Sequence, residues 1–213
     1  MLAGHVENAP SGAQGFDLNR PLSLQEARQF AAKGYRFCVR YLTRSDDQEQ
    51  RGDLTNQEAN DILEAGLALM AVQHVAKAPW VPSAELGTQY GNNAVANARQ
   101  VGLPSGVNVW LDLEGVASAT IADVVVDYCN AWFAIVGGAG YATGIYVGAN
   151  AILSGDDLYW RLRTKHYWKS GSTVPDIPIR GYQMIQRIVN NDIDRNVTRT
   201  DAFGDAVQWI IRA

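Results

Sequence analysis

Three glycines, Gly34, Gly66 and Gly102, set the period of this chain. Each closes a segment whose apolar residues recur at helical spacing, and an apolar run of strand length follows. They lie 32 and 36 residues apart, the length of one strand-plus-helix module. Ser23-Leu24-Gln25-Glu26 opens the first helix as a capping box. Leu24, Ala27, Phe30 and Ala31 form its face, and Tyr35 to Leu42 reads as the next strand. Thr55-Asn56-Gln57-Glu58 repeats the signal, with Ala59, Ile62 and Leu63 as the face and Leu67 to Val75 as the strand. A third helix spans about Tyr90 to Val101 and leads to the strand Val107 to Glu114. The capping sequence Thr120-Ile121-Ala122-Asp123 predicts the start of a fourth, ahead of the strand Gly144 to Gly148. Ala149 to Leu162 reads as a weaker fifth helix.

With Gly15 to Leu18 as the first strand, the pattern makes five βα units. Three short strands follow: His166 to Lys169, Gly181 to Arg187 and Asp192 to Val197. Their connections are too short or too proline-rich for helices. Continuous apolar strands alternating with helices predict an α/β fold, a parallel sheet covered by helices. Eight strands predict a single closed barrel of (β/α)8 TIM type with an incomplete helical ring. A doubly wound open sheet fits less well, because no phosphate-binding glycine loop follows the first strand. Residues 1–14 read as a polar leader and 15–213 as the barrel domain.

Composition narrows the function classes. Against 22 acidic side chains stand 18 basic ones, a net charge of −4, which argues against nucleic acid as a partner. Charged residues make up 19% and hydrophobic ones 47%, so the bulk of the chain is not disordered. Cys38 and Cys129 are too few for a disulfide scaffold and read as buried free thiols. From Cys129 to Gly155 no side chain is charged, but five glycines interrupt the run and its period changes midway. A membrane span is therefore not expected. The amino terminus has neither the basic nor the apolar region of a secretory signal, and oligomeric state is not legible.

In parallel α/β folds the carboxyl ends of the strands collect functional residues. Asp112 and Glu114 alternate onto one face of their strand, roughly 6–7 Å apart at Cα, and Val109, Leu111 and Leu113 take the other. Adjacent carboxylates repel, so one holds its proton more tightly, as acid-catalysed glycoside cleavage requires. The same spacing also suits an acidic pair that caps a helix or binds a lysine. Closing the barrel makes the first and last strands neighbours, which brings Asp17 and Asp194 to the same mouth. Asp192 is the weaker eighth-strand candidate. Trp168, Tyr146 and Tyr41 are candidate sugar-stacking faces, with Trp168 preferred and Trp110 assigned to the core. Gln186 and His74 sit at strand ends. Arg40, in an apolar strand, needs a partner if buried, one of the acids or an interior group.

GFDLN at 15–19, LDLE at 111–114, GIYVG at 144–148 and the ending from Gln186 to Asp194-Arg195-Asn196 resemble the family 25 glycoside hydrolases. These are lysozymes, N-acetylmuramidases that cleave peptidoglycan. The closer resemblance is to a related bacterial glycoside-hydrolase-like family with the same flattened barrel, and it covers residues 15 to about 213. It implies Glu114 as general acid, Asp112 orienting the substrate N-acetyl group or stabilising positive charge, and Asp17 and Asp194 completing an acidic floor. It implies a polysaccharide substrate, peptidoglycan first, and no cofactor. With no signal sequence, it implies synthesis in the cytoplasm and action at the cell wall after lysis or dedicated export. The chain departs from the lysozyme pattern at Leu18-Asn19-Arg20 and has no cell-wall-binding repeat.

Two other classes are open to such a chain. A barrel with an acidic, aromatic mouth can bind glycan without cutting it. A metal-dependent hydrolase would draw on His74, His166 and the same aspartates, although no His-x-His or His-x-x-x-His pair occurs.

Overall fold

The computed structural model describes residues 1–45, 52–188 and 193–212. In chain order these form β1 (His5–Asn8), β2 (Gln14–Leu18), α1 (Leu24–Ala32), β3 (Phe37–Leu42), α2 (Asn56–Glu64), β4 (Ala68–Gln73) and α3 (Ala84–Val101). Then come β5 (Asn108–Leu113), α4 (Ala122–Gly138), β6 (Ala142–Val147), a π-helical turn (Asp157–Arg161), β7 (His166–Lys169), β8 (Met184–Ile188), β9 (Asp194–Thr198) and β10 (Gln208–Ile211).

The strands pair in the order β4-β3-β2-β9-β8-β7-β6-β5, and β5 returns to β4, closing an eight-stranded barrel. The TIM-barrel-like α/β architecture is therefore as the repeating pattern predicts. One strand departs from it: β9 runs antiparallel to both β8 and β2. A parallel partner needs a crossover of a dozen or more residues, and the segment between Ile188 and Asp194 is too short to make one. The expected polar leader is also corrected. Residues 5–8 form β1, which pairs with β10, and β10 pairs with the start of β4. Leu2 and Ala9 are buried, so this stretch packs as part of the sheet despite its polar sequence.

The helices show which capping signals operate. At α1, Ser23 Oγ accepts from Glu26 N–H and the Glu26 carboxylate accepts from Ser23 N–H, a complete capping box. At α2 only half is made. Thr55 accepts from Glu58 N–H, while the Glu58 carboxylate turns inward to Arg40 and Leu22 N–H. Helix α3 starts earlier than its apolar face suggests, capped by Ser83, and ends at Gly102 in the left-handed region. Helix α4 has no side-chain cap, so the Thr120 signature does not act as one. The weak fifth helix shrinks to the π-helical turn because Asn150 and Ile152 take positive φ, which no right-handed helix tolerates.

Two apolar layers result. Val109, Leu111, Leu113, Ile145, Trp132 and Val125 belong to the outer layer between barrel and helices. Phe37, Val39, Met70, Trp110, Trp168, Met184 and Trp209 fill the barrel itself. Gly144 leaves room for this filling, since a Cβ there would lie 2.4 Å from the Trp110 ring. Cys38 and Cys129 are buried free thiols, as expected. The packed interior separates the two ends of the barrel.

Candidate functional site

Asp112 on β5, Glu114 just beyond it, Asp17 on β2 and Asp194 on β9 meet at the carboxyl end of the parallel strands. Asp17 and Asp194 are register partners. Asp194 reaches this end as the first residue of a reversed strand, not as the last residue of a parallel one. Tyr146 feels the charge of all four carboxylates, which places it among them. None of the four forms an ion pair among the described residues.

Electrostatics follow from that enclosure. Burial disfavours a carboxylate, and nearby negative charge disfavours it further. Burial carries the Asp17 carboxyl up to about 7, despite hydrogen bonds from Gln186 and Asn196. Asp112 is driven well above the ordinary range, by burial first and then by the charges of Glu114 and Asp17. Its Oδ1 is buried with no hydrogen-bond partner among the described residues. Glu114 is raised by burial, as is Asp194. Glu114 is half-exposed and Asp112 is buried, so the two stand as a deep acid and a shallow one.

The sign of the pH dependence comes from Asp17. Its carboxyl moves from 3.8 to about 7 on folding, so the native state retains a proton that the unfolded state has lost. Stability therefore falls as pH rises from about 4 to about 7. Asp17→Asn is expected to flatten that slope, read as urea midpoints across the interval. An unchanged slope would place the titration on another group.

Glu114 is held by its backbone. Trp80 Nε1–H donates to the Glu114 carbonyl at 2.7 Å, and Trp80 N–H donates to the Gly115 carbonyl. Gly148, on the neighbouring strand's exit, makes room for the side chain. A Cβ there would sit 2.5 Å from Glu114 Cβ and 2.6 Å from Oε2.

A buried amide network fixes Asp17. Gln186 Nε2–H and Asn196 Nδ2–H both donate to Asp17 Oδ2, at 2.9 and 2.6 Å. Gln186 Oε1 accepts from Tyr146 O–H at 3.0 Å and from Gly171 N–H. Asn196 Oδ1 accepts from Trp168 Nε1–H at 2.8 Å. Asn196 was not among the expected site residues, yet alternation from Asp194 puts it on the same inner face.

Trp168 is a correction. It is 1% exposed and stands edge-on to Trp110 and Tyr146, so its faces are closed to a sugar and it acts as a brace. Trp168→Phe leaves Asn196 Oδ1 buried without its donor and is expected to cost ~1–3 kcal/mol, read from the urea midpoint. A neutral result would mean that Asn196 finds another donor.

Tyr41 and Tyr146 are the half-buried aromatics at the mouth. Tyr41 stacks on His74 with centroids 4.5 Å apart. His74 Nε2 lies 2.8 Å from Asp53 Oδ1, so His74 sits beside the mouth, with Tyr41 between it and the acids. Arg40 is a second correction. It shares strand parity with Cys38, not Tyr41, and its Nε–H donates to Glu58 on α2 at 2.6 Å. It serves the outer layer rather than the mouth. Asp192 lies outside the described residues.

Among the described residues, no three His, Cys, Asp or Glu side chains are grouped to hold a metal ion. No described helix is long and apolar enough to cross a membrane.

Solved structures share this fold. The Mycobacterium tuberculosis Tat-secreted protein Rv2525c, in complex with L-tartrate, superposes with a TM-score of 0.65 at 18% identity, over 88% of this chain and 96% of that one. A bacterial lysozyme from Streptomyces coelicolor gives 0.61 at 17% identity, over 92% and 95%. The catalytic domain of endolysin ply40, from bacteriophage P40 of Listeria monocytogenes, gives 0.62 at 16% identity, over 89% and 94%. At such identities the likeness is one of fold. No curated protein matches the sequence. The sequence model of the Rv2525c-like, glycoside hydrolase-like domain matches residues 28–204, a span that runs from α1 to the segment ahead of β10 and includes three of the four mouth carboxylates. By that match the chain belongs to the Rv2525c-like, glycoside hydrolase-like domain family.

Proposed function

We propose that this domain is a glycoside hydrolase acting on peptidoglycan or a related N-acetylated glycan, with Glu114 as its general acid. The observation that carries the reading is the pairing of a half-exposed Glu114, its carboxyl raised by burial, with a buried Asp112, inside a mouth that holds two further acids. An acid poised this way gives its proton to the departing glycosidic oxygen as the bond to the sugar carbon breaks. An ionised carboxylate of the floor stabilises positive charge developing at that carbon.

Asp112 Oδ1 has no hydrogen-bond partner among the described residues, and a buried acceptor favours gaining a donor. A substrate acetamido N–H supplies one, which supports an N-acetylated sugar and would align the acetamido oxygen with the sugar carbon. Water completes the reaction by adding to that carbon and returning a proton to Glu114. Tyr41 and Tyr146 are the proposed stacking faces. The fold's occurrence in a lysozyme and an endolysin supports the cell wall as the place of action, reached after lysis or by dedicated export.

The test is release of new reducing ends and of muropeptides from purified peptidoglycan. Wild type is expected to release both, with mass analysis naming the bond, and Glu114→Gln far less of either. Binding of glycan without cleavage by wild type would overturn the hydrolase reading and make this barrel a binding module.

A further inference from the structure

The opposite pole of the barrel holds a second cavity, of about 560 Å3, at the amino ends of β6 and β7 and beside the segment ahead of β10. β5 spans the two poles. Asn108 lies behind this cavity and Asp112 in the acidic mouth, about 13 Å apart at the strand rise. The cavity is thus separate from the acids.

Its polar wall is oriented by a chain of fixed hydrogen bonds. The backbone N–H of Gln208 can only donate, and it does so to Asn108 Oδ1 at 2.7 Å. That sets the Asn108 amide with Nδ2 toward His166 Nδ1, at 2.9 Å. Nδ1 must accept, so the neutral ring carries its proton on Nε2. His166 is 6% exposed and lines the cavity, and its Nε2 has no hydrogen-bond partner among the described residues. Burial takes its pKa down to about 4, so near neutral pH it offers an N–H and no charge.

Two cations stand beside it. Lys165 is 3.4 Å from Asp205, which Arg180 also engages. Arg163 lines the same cavity and forms no ion pair among the described residues. The cavity is therefore lined by an arginine with no ion pair and by one directed donor with no partner among the described residues. A guanidinium fork matches carboxylate and phosphate oxygens, and a volume between ~300 and ~1,000 Å3 is that of a small-molecule site.

We propose that this cavity binds a small hydroxylated molecule bearing a carboxylate or phosphate, with its anion on Arg163 and an adjacent oxygen on His166 Nε2–H. The site is independent of the acidic mouth.

Titrating glucuronate, glucose 6-phosphate and glucose into the full chain by calorimetry tests it. One of the two acids is expected to saturate, and which one does so distinguishes carboxylate from phosphate. Arg163→Ala, a change at an exposed side chain, is expected to weaken that binding about tenfold or more, with Arg163→Lys between. Glu114→Gln is expected to bind as wild type does. No saturable binding of either acid, equal binding of neutral glucose, full affinity in Arg163→Ala, or loss in Glu114→Gln would each overturn the proposal.

Discussion

Arg40→Met is expected to lower the unfolding free energy by roughly 3–5 kcal/mol, because removing one partner of a buried ion pair strands the other. The Arg40 side chain is fully buried. Its Nη1–H donates to the Leu18 carbonyl and its Nη2–H to the Gly52 carbonyl and to Glu58 Oε2, in addition to the Nε–Glu58 bond. One guanidinium therefore ties β2, β3 and α2 together. Glu58, also taking Leu22 N–H, would be left as a buried charge with one neutral donor. At ~2–4 °C per kcal/mol for a domain of this size, the melting midpoint should drop by about 6–20 °C. Urea unfolding followed by circular dichroism reads the energy directly.

Arg40→Met/Glu58→Leu should cost less than the sum of the two single changes, since it removes the stranded charge. A single-variant loss below about 1 kcal/mol would mean that Glu58 is not left stranded and that the pair does not carry this energy. The folded fraction of Arg40→Met should retain wild-type turnover, because no atom of Arg40 contacts the acids. Selective loss of turnover would return Arg40 to the mouth.

The same strand shows what sequence reveals and what it withholds. Parity alone separates Cys38 and Arg40 from Val39 and Tyr41, and Cys38 does fall in the outer apolar layer while Val39 and Tyr41 belong to the inner one. The partner was not legible, because Glu58 also completes a capping motif on paper, and only packing decides which demand its carboxylate meets. Asp112 and Glu114 were readable from alternation, and Asp17 beside Asp194 from closure of the barrel.

The reversed direction of β9 needed the length of the β8–β9 connection to be weighed against the dominant parallel pattern. A strand-end position does not tell whether the barrel there is filled, and Trp168 is part of the filling. Its Nε1 bond to Asn196 and its contact with Tyr146 bury it. β1 and β10 escaped notice for a different reason. β10 joins the start of β4 at one end of the ring and β1 joins β10, so neither extends the βα period that the rest of the chain announces.

Glu114→Gln should reduce turnover on glycan by about 10²–10⁴-fold, the usual contribution of a positioned proton donor, with little change in KM. The amide keeps the shape of the carboxylic acid and its place against Gly148, and removes only the transferable proton. The pH profile gives the sign. A general acid works in its protonated form, and burial raises Glu114 above the ordinary carboxyl range. Activity should persist above that range and fall as pH rises through the raised value, and the residual activity of Glu114→Gln should lack this limb.

The assignment to Glu114 rather than Asp112 rests on depth, since Asp112 is buried beneath the half-exposed Glu114. Leaving-group chemistry separates the two roles. An aryl glycoside departs with little need of protonation, so Glu114→Gln should lose far less activity on it than on glycan. Asp112→Asn should be affected alike on both, because the acetamido group that Asp112 is proposed to orient does not depend on which group leaves. Equal losses by Glu114→Gln on both substrates would mean that Glu114 supports the sugar cation and that the proton comes from elsewhere in the cluster.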